Sequence, residues 1–148
     1  VSGLTNWFRA NALAVIQGTS HAALAETWVN VLTTLPTSEA TNGTTDEVEW
    51  SLSRVEVNIV GPTEPFWDFR LSADDGAELF NTGAVTWSTG DTSGLSGDTI
   101  VLGLGVYTAS TAGILLAYDD FVMTATVVPG DTFIFATDKI RIQMRSDL

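Results

Sequence analysis

The 148-residue chain contains no cysteine and one histidine, His21. Disulfide frameworks and thiolate metal centres are therefore excluded, and cysteine usage says nothing of redox compartment. A lone histidine makes a poor zinc site, because zinc would then depend on carboxylates for its other ligands. It also leaves nucleophile–base pairs without their usual partner, so Ser-His-Asp catalysis is excluded. Positive charge is scarce as well: six Lys and Arg stand against 18 Asp and Glu, a formal net charge of −12. Binding nucleic acid requires a basic face that neutralises phosphates, and docking on anionic lipid requires basic clusters. Neither partner is expected. No apolar run approaches the roughly 18 residues of a membrane-spanning helix, the nearest being residues 99–106. Residues 1–9 lack the basic start and apolar middle of a secretion signal.

What is present is apolar bulk. Hydrophobic residues make up 45% of the chain and charged ones only 16%, a balance that excludes intrinsic disorder. The length fits one domain. Residues 2–18 place Leu4, Trp7, Phe8, Ala12, Val15 and Ile16 at three- and four-residue spacing, which predicts an amphipathic helix from Ser2 to a stop at Gly18. Residues 1–18 thus read as an N-terminal helix or arm, and residues 19–148 as a β domain.

From there the pattern is β. A strand is expected from about Trp28 to Leu35, followed by a loop over residues 37–47 rich in Ser, Thr, Gly and Asn. Val55, Val57 and Ile59 alternate with Arg54, Glu56 and Asn58. Residues 61–65 break that strand with two prolines, residues 66–71 resume it, Asp74-Asp-Gly76 turns, and residues 84–87 form a further strand. Residues 88–98 read as a loop. Residues 99–107 are almost continuously apolar, which predicts a central strand covered on both faces, with Gly103 and Gly105 marking close approach by a neighbour. Strands over 114–118, 121–128, 132–136 and 139–145 follow, the last turning Ile140, Ile142 and Met144 inward. Short strands at turn-punctuated spacing predict an antiparallel β-sandwich or jelly-roll-like barrel with one N-terminal helix.

Chemistry finds little purchase in this pattern. Gly103-Leu-Gly105 lies inside a strand with no lysine after it, so it is not a phosphate loop. Asp74-Asp-Gly-Ala-Glu78 and Asp119-Asp120 lack the alternate-acid spacing of a calcium loop, and turn chemistry accounts for the first. No metal site, cofactor or catalytic residue is assigned, and no enzyme is expected. Five tryptophans, Trp7, Trp28, Trp50, Trp67 and Trp87, are many for this length. They read as core or subunit-interface filling; a coplanar exposed row would instead mark a carbohydrate-binding module. Lys139, Arg141 and Arg145 put half the basic residues on one face of the last strand, either blunting an edge or meeting acids of a neighbouring subunit.

The order of segments carries a resemblance. An N-terminal helix precedes Leu32-Thr-Thr-Leu-Pro-Thr37, a Gly/Thr loop, Ser53-Arg-Val-Glu-Val-Asn58 and Asn81-Thr-Gly-Ala-Val-Thr-Trp87. Leu102-Gly-Leu-Gly-Val-Tyr-Thr-Ala-Ser110, Gly113-Ile-Leu-Leu-Ala117 and Val128-Pro-Gly-Asp-Thr-Phe-Ile-Phe135 follow. This resembles a family of small tailed-bacteriophage virion proteins described as tail-fibre-like. The chain departs from that pattern at Leu35, where an acid would precede proline, at Val106-Tyr-Thr-Ala109, and in an extra segment, Glu64-Pro-Phe-Trp-Asp-Phe69. The resemblance implies a virion structural protein without transferable catalytic residues. Lacking repeats or heptads, the chain is expected to be a capsid cement, or decoration, protein. It would bind the major capsid protein as a homotrimer on the outer shell and stabilise the mature head; a tail-associated or tail-fibre-like protein is the alternative. Leu4, Trp7, Phe8, Val15, Ile16, Trp28, Trp67, Lys139, Arg141 and Arg145 are the candidate capsid or subunit contacts.

Overall fold

A computed structural model describes residues 3–4, 10, 13–18, 24, 26–35, 52–58, 65–72 and 76–144. Ten strands and one short helix are named among them: β1 (Gly3–Leu4), β2 (Thr27–Leu32), β3 (Val55–Val57), β4 (Trp67–Ser72), β5 (Gly76–Asn81), β6 (Val85–Trp87), α1 (Thr89–Thr92), β7 (Thr99–Tyr107), β8 (Leu115–Val127), β9 (Phe133–Phe135) and β10 (Arg141–Met144). They form a five-stranded sheet in the order β1-β8-β7-β2-β3, a three-stranded sheet β10-β5-β4 and a two-stranded ribbon β6-β9. Every ladder between these strands is antiparallel, and the fold is the all-β sandwich that the alternation predicts.

The nine apolar-rich residues of β7 take the middle of the large sheet, between β8 and β2. Gly103 to Tyr107 are buried without interruption, as a strand covered on both faces must be. Gly103 is glycine because a Cβ there would run into the Asp119 backbone carbonyl of β8 and lie 2.7 Å from Leu35 Cδ2. Beside it the ladder slips. Val101 pairs with Ala125 and Gly103 with Asp120, so residues 121–124 stand opposite Leu102 alone. This bulge delivers Phe121 to the core.

One core spans the sheets, with Val29, Val31, Val57, Val101, Leu104, Val106 and Leu116 from the large sheet, Trp67 and Ile140 from the small one and Val85 and Trp87 from the ribbon. Trp87 is fully buried, donates from Nε1 to Ser53 O at 2.9 Å and packs against Phe133 and Phe135, while Phe121 packs on Phe135. A second cluster, Leu32, Tyr107, Leu115 and Tyr118 with Trp28 and Leu35, lies on the other side of the large sheet. Arg54 sits 3.7 Å over the Tyr107 ring and donates to Ala109 O and Ala112 O, pinning the β7–β8 loop.

Several sequence expectations are corrected. Gly3–Leu4 is a strand paired with Ala117 and Tyr118, so the helix does not begin at Ser2. A glycine costs a helix about 1 kcal/mol, whereas here its backbone joins a sheet edge. Helix is found at Ala10 and residues 13–16, and Leu13, Val15 and Ile16 are exposed there; that turn does not bury an apolar stripe. The strand expected through Leu35 ends at Leu32. The strands expected at 114–118 and 121–128 are one, β8, because the Asp119 and Asp120 backbones keep pairing with β7 while their side chains are exposed. The loop expected at 88–98 contains α1, started by a capping box in which Ser88 N–H donates to Asp91 Oδ2 at 2.7 Å and Asp91 N–H to Ser88 Oγ. Strand β5 was not foreseen. The loop at 37–47, His21, Trp50 and the Asp74–Asp75 turn lie outside the described residues. Among the described residues no helix is long and apolar enough to cross a membrane.

Candidate interaction surface

Strand β4 reads Trp-Asp-Phe-Arg-Leu-Ser, a strict alternation, and its hairpin partner β5 reads Gly-Ala-Glu-Leu-Phe-Asn. Register places Phe69 opposite Leu79 and Leu79 opposite Ile142; Arg70 faces Glu78, and Asp68 faces Phe80, which in turn faces Arg141. With a side-chain period of two, the sheet sorts its residues into two unlike faces. All four charged residues of its strands, Asp68, Arg70, Glu78 and Arg141, share one face. Trp67, Phe69, Leu71, Ala77, Leu79, Asn81 and Ile142 share the other, which carries no charge.

The charged face is a linked chain. Arg70 Nε donates to Glu78 Oε1, whose side chain is buried, and Arg70 Nη2 donates to Asp138 Oδ1 at 2.9 Å. Arg141 Nη2 reaches Asp138 Oδ2 at 3.0 Å, and the Arg70 guanidinium lies 4.4 Å over the Phe80 ring. Asp138 adopts a left-handed backbone (φ 63°) to turn its carboxylate between the two arginines. The Arg70 hydrogen bond holds the Asp138 carboxyl below the usual carboxylate range, against the opposing effect of burial, and the Arg141 charge adds to this. The Asp138 and Glu78 hydrogen bonds in turn raise Arg70.

Beneath this face one buried amide fixes the loop that enters β10. Asn81 Nδ2 donates to Gly83 O (2.8 Å) and Ala136 O (3.0 Å), and its Oδ1 accepts from Lys139 N (3.1 Å) and Ile140 N (2.9 Å). All four hydrogen-bonding positions of the side chain are used, which is what a fully buried amide requires.

The uncharged face begins in the core and leaves it. Trp67, at the core end, is 7% exposed and donates from Nε1 to Thr27 Oγ1 at 2.7 Å. Leu79 and Ile142 pack against the core from the middle. Phe69 is 56% and Leu71 78% exposed. The outer edge of β4 beside them is closed: Trp67 N–H donates to Asn58 O at 2.9 Å, and Phe69 N–H donates to the Asp68 carboxylate at 2.8 Å. Occupying two N–H groups in this way weakens the edge as a template for strand addition.

Of the residues expected to make contacts, Val15 and Ile16 are 62% and 82% exposed. Leu4 lies in β1, its side chain outside the described residues, as are Trp7, Phe8 and Arg145. Trp67 is core, and Trp28 is half-buried in the second cluster with its Nε1 enclosed and unpartnered. Lys139 and Arg141 are exposed, and Arg141 is spent on Asp138 within the same molecule. Phe69 and Leu71 were not singled out, although the alternation of β4 marked one face as apolar. Recognising that the face outruns the core needed its partner β5, whose Phe80 on the charged face and Asn81 on the apolar one dilute the pattern. Among the described residues no three His, Asp or Glu side chains gather as metal ligands.

The family model described as Podophage GP4 fiber I protein gp80 matches residues 3–143. No curated protein matches the chain.

Proposed function

Because the chain belongs to the podophage GP4 fiber I protein gp80 family, and is thus a structural protein of the phage virion, we propose that it is a subunit of the particle's fibre apparatus that works by association and not by catalysis. The observation that carries this reading is the sorted sheet. Arg70, Glu78 and Arg141 are ion-paired within the molecule, while Phe69 and Leu71 stand open on a charge-free face. Each large apolar side chain fully buried on docking is worth about 1.5–3 kcal/mol, and repeated contacts in a particle multiply weak ones. A family description that names a fibre supports the tail end of the virion over the head.

Capsid cement is the second reading. It is favoured by the single core shared by all three sheets and by the absence of sequence repeats, which suit a compact cap better than a shaft. Its mechanism is mass action: a protein that binds only the mature shell shifts the balance toward it. The major capsid protein would then be its partner. A glycan-stacking role has less support, since of the three described tryptophans Trp87 and Trp67 are core and Trp28 is half-buried.

Immunogold labelling of intact particles tests the choice. Label on the fibre or tail is the expected result; label over the head would replace it with the cement reading, and particles without label would remove the protein from the mature virion altogether.

A further inference from the structure

We infer that the outer edge of β10 is a strand-addition site that takes up an extended, acidic segment of a different protein. The inference rests on the reading above, in which association is this protein's work, and adds the site and the chemistry of the partner.

In an antiparallel pair, alternate residues exchange hydrogen bonds with the strand opposite, and the residues between them turn their backbone groups outward. Asn81 N–H donates to Ile140 O. Arg141 stands opposite Phe80 and Ile142 opposite Leu79, so the alternation turns the groups of Ile140 and Ile142 toward β5. Arg141 and Gln143 therefore aim their N–H and C=O groups away from it. β10 ends its sheet, and among the described residues no backbone group takes up these four. Such a row is a template for another strand. The opposite edge, β4, differs: the outward N–H groups of Trp67 and Phe69 are held by Asn58 O and the Asp68 carboxylate.

Charge selects the partner. Lys139, Arg141 and Arg145 are half of the six basic residues in a chain of net charge −12. Lys139 is exposed and makes no ion pair among the described residues, and Arg141, also exposed, is engaged by Asp138. The β4 edge carries Asp68 instead. An acidic strand is therefore repelled at β4 and attracted at β10, where its carboxylates stand beside Lys139 and Arg141. A second copy of β10 does not fit there, since antiparallel pairing sets these cations against their own counterparts. The side-chain period of two puts the partner's carboxylates on the charged face of the sheet and its intervening residues beside Ile142 on the apolar one. The fitting segment thus alternates acid and aliphatic. An edge of 4 residues makes a weak contact by itself, one that repetition along an assembly strengthens.

The test titrates the capped peptide acetyl-(Glu-Val)4-amide into the full chain while amide exchange is followed by NMR. At saturation, exchange is expected to slow about tenfold at Arg141 and Gln143, while Ile142, already bonded to β5, keeps its rate. Lys139→Glu, at an exposed position, is expected to weaken binding about fivefold, the range of a cross-strand charge pair, with an unchanged melting curve. Gln143→Pro removes an outward N–H and none that faces β5, and should abolish binding. Arg141 and Gln143 amides already protected in the peptide-free chain, or unchanged by the peptide, overturn the inference. So does a (Lys-Val)4 peptide that binds as well as the acidic one. Binding with the expected signature, together with particles that carry no label, keeps the inference and overturns the virion-fibre reading instead.

Discussion

The large sheet and the small one use the same strand geometry to opposite ends. In β1-β8-β7-β2-β3 apolar clusters lie against both faces, with Ile100 and Met123 left exposed on the β7–β8 pair, and apart from Trp28 Nε1 the polar groups inside find partners: Asn30 donates to Leu52 O and accepts from Val31 N, and Thr27 donates to Val57 O. In β10-β5-β4 the core is met by Trp67 at one end and by Leu79 and Ile142 in the middle, and β4 carries Phe69 and Leu71 beyond it. Most apolar residues of the large sheet are thus spent on cohesion, Ile100 and Met123 excepted, while the small sheet leaves Phe69 and Leu71 exposed together on one strand face. The difference lies in what stands opposite each residue, not in composition.

Substitutions that hollow out the body should separate the two regions most sharply. Trp87→Ala removes the ring on which Phe133 and Phe135 pack and the hydrogen bond to Ser53; a loss of about 3–5 kcal/mol is expected in urea unfolding. Asn81→Ala follows. It strips four hydrogen bonds from the β5–β6 and β9–β10 junctions and should cost about 2–4 kcal/mol, since a buried group left unpaired costs roughly 1–3. Amide exchange in β10 should rise before exchange in β7. Gly103→Ala drives a Cβ into the β8 backbone and is expected to cost about 1–3 kcal/mol by overpacking; an unaffected midpoint would mean the bulge at 121–124 absorbs the insertion.

Acid probes the plate more gently. The folded-state pKa of Asp138 lies below its unfolded value, so its contribution to stability is complete above the ordinary carboxylate range, near pH 4, and is lost as pH falls through the lower folded value. Asp138→Asn should therefore flatten the acid limb of the stability–pH profile and leave the neutral limb parallel to that of the wild type. Smallest of all is Leu71→Asp, at an exposed position, expected within about 0.5 kcal/mol on folding. A larger loss would show that the open face is needed for the fold itself.

The sandwich, the central strand and the inward Ile140 and Ile142 of the last strand were legible because they rest on period-two alternation and continuous apolar runs, signals carried by the residues themselves; the Met144 side chain lies outside the described residues. β7 was expected over 99–107, and those are its bounds. Gly103 was readable as a close approach, and the Asp119 backbone of β8 is what approaches it, whereas at Gly105 the near atoms are those of the Tyr107 ring on the same strand. What escaped depended on partners distant in sequence. Gly3–Leu4 is a strand only because Ala117 and Tyr118 offer hydrogen bonds, and no local pattern reveals that. Asp119-Asp120 read as a break, since acids in sequence suggest a turn until a pairing strand is present. The basic residues of the last strand drew attention as a free ribbon, yet Arg141 is neutralised by Asp138, whose left-handed turn no alternation predicts. The openness of Phe69 and Leu71 had the least signal of all, for exposure is a property of where the core stops.

The amide of Asn81 sets an order of events. Gly83 lies two residues from it, but its partners Ala136, Lys139 and Ile140 lie 55, 58 and 59 residues further along the chain. While a ribosome is still extruding that stretch, the hairpin of β4 and β5 lacks the latch that seats its third strand. The small sheet is therefore completed late, when the last strand has been made and its loop can close on the amide.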